Sequence, residues 1–208
     1  MEIFDYDIVK NSLFFRLWNK ETFRGYEDQL PHRIYGDLAI SCLIDMRKLT
    51  GMPGTAHFTW QLAKVYGITE DQLFQDAYAS APRLKPFRTE TVGEAMQRLT
   101  GIPDENDDGP LSVITTEDGL YGASAIMYPG CLEEAAQGRN LFLIPSSVHE
   151  FLYMPDDGSR SPLILEYILR NVNEEEVPRE EMLSDHLYYY DAGKKATRMI
   201  LFQKKGAN

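Results

Sequence analysis

The sequence predicts an α+β fold, a largely antiparallel β-sheet with helices packed on it in a single compact unit. Three observations carry that expectation. In Arg139–Pro155, RNLFLIPSSVHEFLYMP, two apolar runs of strand length flank Pro145-Ser146-Ser147, so two strands are expected to fold back on each other across that corner. Thr69-Glu-Asp-Gln72 and Thr91-Val-Gly-Glu94 match the capping box, and Ser161-Pro162 matches an N-cap followed by a first-turn proline. Finally, in the second half the order strand, helix, two strands, helix, two strands suggests helices packed on a largely antiparallel sheet. At 208 residues with 43% hydrophobic content the chain can build one sizeable core, or two lobes at 1–103 and 104–208.

Taken in order, Asp5–Lys20 reads as a helical turn followed by a strand near Ser12–Trp18, and Glu21–Pro31 as a loop or short helix. Tyr35–Met46, YGDLAISCLIDM, has the composition of one long strand, with Thr55–Thr59 returning beside it after the Gly51–Gly54 turn. Trp60–Tyr66 is a two-turn helix closed by Gly67, and the helix opened by Thr69 is expected to run to Ala81 and stop at Pro82. The helix opened by Thr91 ends at Gly101, before the acidic loop DENDDG at 104–109. Leu111–Thr116 is a strand, Glu117-Asp-Gly119 a hairpin turn, and Leu120–Tyr128 fits strand or helix. Pro129–Gln137 reads as a helix stopped by Gly138. Leu163–Val172 is a helix apolar on most sides, with Glu166 and Arg170 paired at i, i+4, and is expected to lie across the sheet. Leu187–Tyr190 and Ala196–Phe202 close the chain as a hairpin around Asp191-Ala-Gly193.

With 21 basic and 32 acidic residues the net charge is −11, a field that repels phosphate backbones and anionic lipid. Nucleic-acid and membrane binding are therefore not expected, and Lys194-Lys195, Arg198 and Lys204-Lys205 are the one basic concentration. The two cysteines, Cys42 and Cys131, are too few and too far apart for a disulfide framework or zinc knuckle. No signal peptide or apolar span is visible, so a cytoplasmic location is expected.

ITEDQLFQDAYASAPRLKP, YGASAIMYPGCLEEAAQ, LFLIPSSVHEFLYMPDD and EEMLSDHLYYYD, in that order, resemble a bacterial family common in gut anaerobes, domain of unknown function 5688. LPHRIYGDLAI extends the resemblance over most of residues 5–191, with a weaker likeness in element order to domain of unknown function 1444. Members usually carry roughly a hundred further residues ahead of this segment, a domain-sized piece, which implies a region that this chain lacks. The resemblance implies the fold and its boundaries; it brings no catalytic residue and no cofactor with it.

The densest group of chemically capable side chains is Ser146, Ser147, His149 and Glu150. Ser147, His149 and Glu150 offer a nucleophile, a base and an acid, yet strand alternation turns Glu150 away and no G-x-S-x-G elbow is present. The bland alternative is that both serines satisfy backbone groups at the corner. His149 and Glu150 with Asp185 and His186 would suit zinc or iron if the last hairpin lay beside the central strands, although HEFLY is not H-E-x-x-H. Cys131 stands at an expected helix N-terminus, where a thiol can be acidified, or it is a buried small residue. Tyr188-Tyr-Tyr190, with Tyr153, Tyr167, Phe142 and Phe151, form either an aromatic surface or core; Tyr188 and Tyr190 should share one face and Tyr189 take the other. Glu174–Glu176 and DENDDG could meet calcium but lack EF-hand spacing. Two classes stay open. One is a non-catalytic binding domain with a protein partner and no cofactor; the other is a hydrolase or metal-dependent enzyme centred on these residues.

Overall fold

The computed structural model describes residues 4–102, 109–175 and 177–202; Asp104–Asp108, Glu176 and Lys204-Lys205 lie outside them. After a one-turn helix α1 (Tyr6–Val9) come β1 (Leu13–Asn19), α2 (Lys20–Phe23), β2 (His32–Tyr35) and β3 (Leu38–Asp45). Next are α3 (Met46–Thr50), β4 (Thr55–His57), α4 (Trp60–Tyr66) and α5 (Glu70–Leu84). Strands β1 to β4 make the first antiparallel sheet, in which β3 pairs with β1 on one side and with β2 and β4 on the other. The remaining elements are β5 (Phe87–Thr91), α6 (Val92–Thr100), β6 (Ser112–Thr116), α7 (Cys131–Ala136), β7 (Leu141–Ser147), β8 (Glu150–Pro155), α8 (Pro162–Glu175), β9 (Tyr188–Asp191) and β10 (Ala196–Met199). Their strands form a second antiparallel sheet in the order β10-β9-β7-β8-β6-β5. The fold is α+β, as the residue pattern predicts.

Local chemistry explains most boundaries. Thr69 accepts the Gln72 N–H at 3.2 Å to open α5, while the Gln72 side chain turns to Asp76 and leaves the box half made. Thr91 and Glu94 complete both halves at α6. Gly67 and Gly101 close α4 and α6 in the left-handed conformation expected of them.

Three sequence expectations are corrected. Pro82 does not stop α5, which continues to Leu84. A proline this close to the end forfeits one helical bond, and buried Ala81 holds the last turn, its carbonyl accepting from Lys85 N at 2.8 Å. Tyr35–Met46 is not one strand: Gly36, at φ +64°, and Asp37 make a two-residue hairpin turn between β2 and β3. The corner of the central hairpin is Val148-His149 and not Pro145-Ser146-Ser147. Strand β7 runs through Pro145 with a register irregularity there, beyond the Leu141–Leu143 stretch that pairs with β9, so no partner strand needs the missing N–H on that side. Of the two alternatives for Leu120–Tyr128 the helical one forms, as a 3₁₀ helix at Gly122–Met127 whose small residues Gly122–Ala125 are buried. A Cβ at Gly122 would run into the Thr115 side chain and the His149 carbonyl. The chain passes from the first sheet to the second between Leu84 and Phe87, since β5 pairs with β6.

Alternation sorts the core. On β1, Phe15 stacks on Phe74 of α5, whereas Phe14, Arg16 and Trp18 point the other way, Phe14 and Arg16 towards Tyr121 ahead of the 3₁₀ turn. On the second sheet Leu141, Leu143, Phe151, Tyr188 and Tyr190 enter a main core shared with the first sheet. Phe142, Met154 and Leu187 face outward and are covered by Leu165 and Leu169 of α8.

One tie joins the two sheets. Tyr188 is 1% exposed, stacks on Tyr35 with ring centroids 5.6 Å apart, and donates to Asp37 Oδ1 at 2.6 Å. Asp37 Oδ2 also accepts from Ser184 Oγ at 2.7 Å and pairs with His186 Nδ1 at 2.9 Å. A Cβ on Gly36 would lie 2.5 Å from the Tyr188 hydroxyl. Tyr188→Phe should therefore cost about 1–3 kcal/mol, the penalty for a buried polar group losing its partner. Gly36→Ala should cost more, through both its positive φ and the clash. Urea unfolding of the two variants and their combination should show a smaller Gly36→Ala penalty in the Tyr188→Phe background, since the clashing oxygen is gone.

Candidate functional site

The residues singled out in the sequence do not assemble into one centre. Ser147 Oγ accepts the backbone N–H of His149 at 3.1 Å, so its hydroxyl braces the tip of the hairpin. His149 stacks on Tyr121 with centroids 5.9 Å apart, and its Nδ1 lies 3.3 Å from the Tyr121 N–H and 3.2 Å from the Gly119 carbonyl. Its Nε2 is 3.9 Å from Glu181. Glu150 is paired across the turn from Ser147. His186 belongs to Asp37, and Asp185 accepts from Asn173 Nδ2 at 3.0 Å. Among the described residues no three His, Cys, Asp or Glu side chains gather as a metal would require. Ser184, His186 and Asp37 have the composition of a catalytic triad without its order, because Ser184 donates to the carboxylate and not to the imidazole.

Two alternatives that the sequence leaves open are decided, both for the core. Cys131 is fully buried, and burial followed by Glu134 and Glu133 pushes its thiol up to about 12, so the acidified cysteine does not form. The tyrosine-rich group does not make a surface: Phe142, Phe151, Tyr153, Tyr188 and Tyr190 are core, Tyr189 is half-buried against Phe142, and only Tyr167 stands out, 66% exposed. Of the basic group, Lys194 pairs with Asp191 at 3.0 Å and Arg198 lies over the Tyr189 ring.

A different cluster forms where the first sheet meets the segment before the 3₁₀ turn. The Arg16 guanidinium sits 3.5 Å above the Trp18 ring centroid and 5.0 Å from that of Tyr121. Trp18 is fixed from behind, its indole N–H donating to buried Ser41 at 2.8 Å. Tyr26 and His57 flank it at 5.2 and 5.6 Å between centroids, and Arg179 with Glu180 form the rim of an open pocket of about 440 Å³. Among the described residues no carboxylate pairs with Arg16, and its Nε is buried without an acceptor. Burial alone draws the guanidinium pKa down, with the Tyr121 and Tyr26 hydroxyls opposing. Burial and then the Arg16 charge lower His57, whose Nδ1 is also buried and unmet. Tyr121, whose ring meets both Arg16 and His149, adopts φ +56°, uncommon for an aromatic residue. The sequence gives one partial signal for this site, Arg16 between Phe14 and Trp18 on the inward face of an apolar strand.

These features define an α+β protein of two antiparallel sheets in which, among the described residues, no helix is long and apolar enough to cross a membrane. The profile of the Family of unknown function DUF5688 matches residues 1–192, and the chain belongs to that family. No curated protein and no solved structure matches it.

His57 yields a pH prediction. Its folded-state pKa lies below the 6.5 of an unperturbed imidazole, so the unfolded chain binds the extra proton more readily. Stability is therefore full above that value and falls as the pH drops through it. Urea midpoints near pH 7.5 and pH 5.5 should differ in that sense, and His57→Gln should flatten the difference.

Proposed function

We propose that this chain is a non-catalytic binding protein, and that the pocket around Arg16 receives an anionic group carried next to a planar or apolar one. The single observation behind this reading is the unpaired guanidinium. A half-buried arginine with no carboxylate is costly, and a chain with 32 acidic residues had every opportunity to supply one. Trp18 and Tyr26 offer flat walls, while Arg16 and Arg179 offer bidentate donors for a carboxylate or phosphate. A protein segment presenting an acidic side chain beside an apolar residue has this chemistry, and a protein partner remains our reading of its ligand. A cytoplasmic setting is part of the same proposal and fits two free, buried cysteines. Binding is preferred to hydrolase or metal chemistry because Ser147 is engaged by a backbone N–H and His149 and His186 have separate partners.

Urea unfolding with phosphate, sulfate or benzoate, at ionic strength held constant with chloride, tests the proposal. An anion at about a hundred times its Kd should stabilise the protein by about 2.7 kcal/mol, and Arg16→Met should abolish that gain. The Arg16→Met variant itself should be unchanged or up to about 1 kcal/mol more stable, since an apolar side chain replaces an uncompensated charge. A variant weakened by several kcal/mol, with no anion effect in the parent, would mean that Arg16 is structural.

A further inference from the structure

A second site lies on the opposite face of the second sheet, and a different set of observations carries it. Leu165 and Leu169 of α8 are buried against the sheet, and the half-exposed Ile168 and Val172 continue the i, i+3, i+4, i+7 stripe along the groove. At one end it is packed: Phe142, Met154 and Leu187 meet Leu165 and Leu169. Along β7, however, the outward-facing residues diminish from Phe142 through Ile144 to Ser146, and the hydroxymethyl group leaves the helix without support. A groove of about 290 Å³ remains, floored by Ile144, Leu152 and Met154. Close packing is the rule inside proteins, so an apolar groove kept open is where a ligand is sought.

The few polar groups of the groove give it direction. Arg160, just ahead of α8, is its one cation; exposed Asp157 feels its charge, but no carboxylate among the described residues makes a close ion pair with it. Asn173, near the other end of the helix, is 4% exposed; its Nδ2 is committed to the Ser184 carbonyl at 2.8 Å and to Asp185, while Oδ1 has no donor. Eleven steps of about 1.5 Å along the helix separate the two ends by about 16 Å. Hydrogen bonds at the two ends take up about 3 Å each, and an extended aliphatic chain with C–C bonds of about 1.5 Å advances about 1.3 Å per carbon, so about nine or ten carbons span the groove.

We propose that this groove binds a linear aliphatic carboxylate of that length, its carboxylate paired with Arg160 and a hydroxyl or similar donor near its far end answering Asn173 Oδ1. Beyond the groove, Leu163, Ile164 and Tyr167 continue an apolar face on α8 that is more than half exposed. A second copy of the chain is thus the rival occupant, and the test must separate the two.

Calorimetric titration of the full chain with decanoate and 10-hydroxydecanoate, below their aggregation concentrations, provides that test. Both should saturate at one per chain. The hydroxylated acid should bind at least as tightly as decanoate, whereas a wholly apolar groove would reject it many-fold. Arg160→Gln, a surface change, should weaken both by tenfold or more, and Val172→Trp, at a half-exposed lining position, should block both while the circular dichroism spectrum stays unchanged. Absence of saturable binding would overturn the proposal, as would equal affinities in the parent and Arg160→Gln. A ligand-free dimer in sedimentation, dissociated by Tyr167→Asp, would assign the face to a second copy and overturn it equally.

Discussion

The structure depends on a phenol that reaches a carboxylate across 151 residues of sequence. Tyr188 is carried by β9 of the second sheet, and Asp37 forms the hairpin turn of the first. Burial and the Asp37 hydrogen bond both push the phenol far above its usual range, so it remains a donor at any physiological pH. Asp37 in turn is surrounded by the Tyr188 and Ser184 hydroxyls and the His186 ring, enough to hold a carboxylate at the joint between two sheets. The contact also dictates the residue beside it, because only glycine at position 36 leaves room for the hydroxyl.

Arg16 is the counterpart of Asp37. Both are charged groups drawn partly out of water, and the fold treats them oppositely. Asp37 has three partners; Arg16 has two aromatic faces and no anion. Aromatic faces attract a guanidinium but do not neutralise it. The neighbouring imidazole is likewise held neutral with a buried nitrogen unmet. The fold thus satisfies one charge fully and leaves the other, with the unmet imidazole beside it, at the wall of an open pocket.

The 119–127 segment explains how the Arg16 cluster reaches the central hairpin. Small residues let it thread between the sheets, where it accepts the close approach of Thr115 and His149 at Gly122. Tyr121, at its head, is held at positive φ with its ring in contact with both Arg16 and His149. Lys85, 7% exposed, fixes the base of the same loop through Asp118. Backbone strain maintained by the surrounding packing is characteristic of sites that do something.

The sequence by itself determined the local events. Caps at Thr69 and Thr91, left-handed glycines at 67 and 101, and the faces taken by Tyr188, Tyr189 and Tyr190 all follow from interactions within a few residues. So did the α+β class, because hydrophobic period and element order are properties of the chain. Pro82 and Pro145 were misleading, since what a proline does depends on whether the lost hydrogen bond would have had a partner. The two histidines marked for chemistry went to different neighbours, and Arg16, Trp18, His57 and Tyr121 each look locally like ordinary strand or turn residues. Their assembly is a matter of which faces of which sheets come together. Tertiary structure alone decides that, since an unpaired charge can be recognised only when everything around it has been placed.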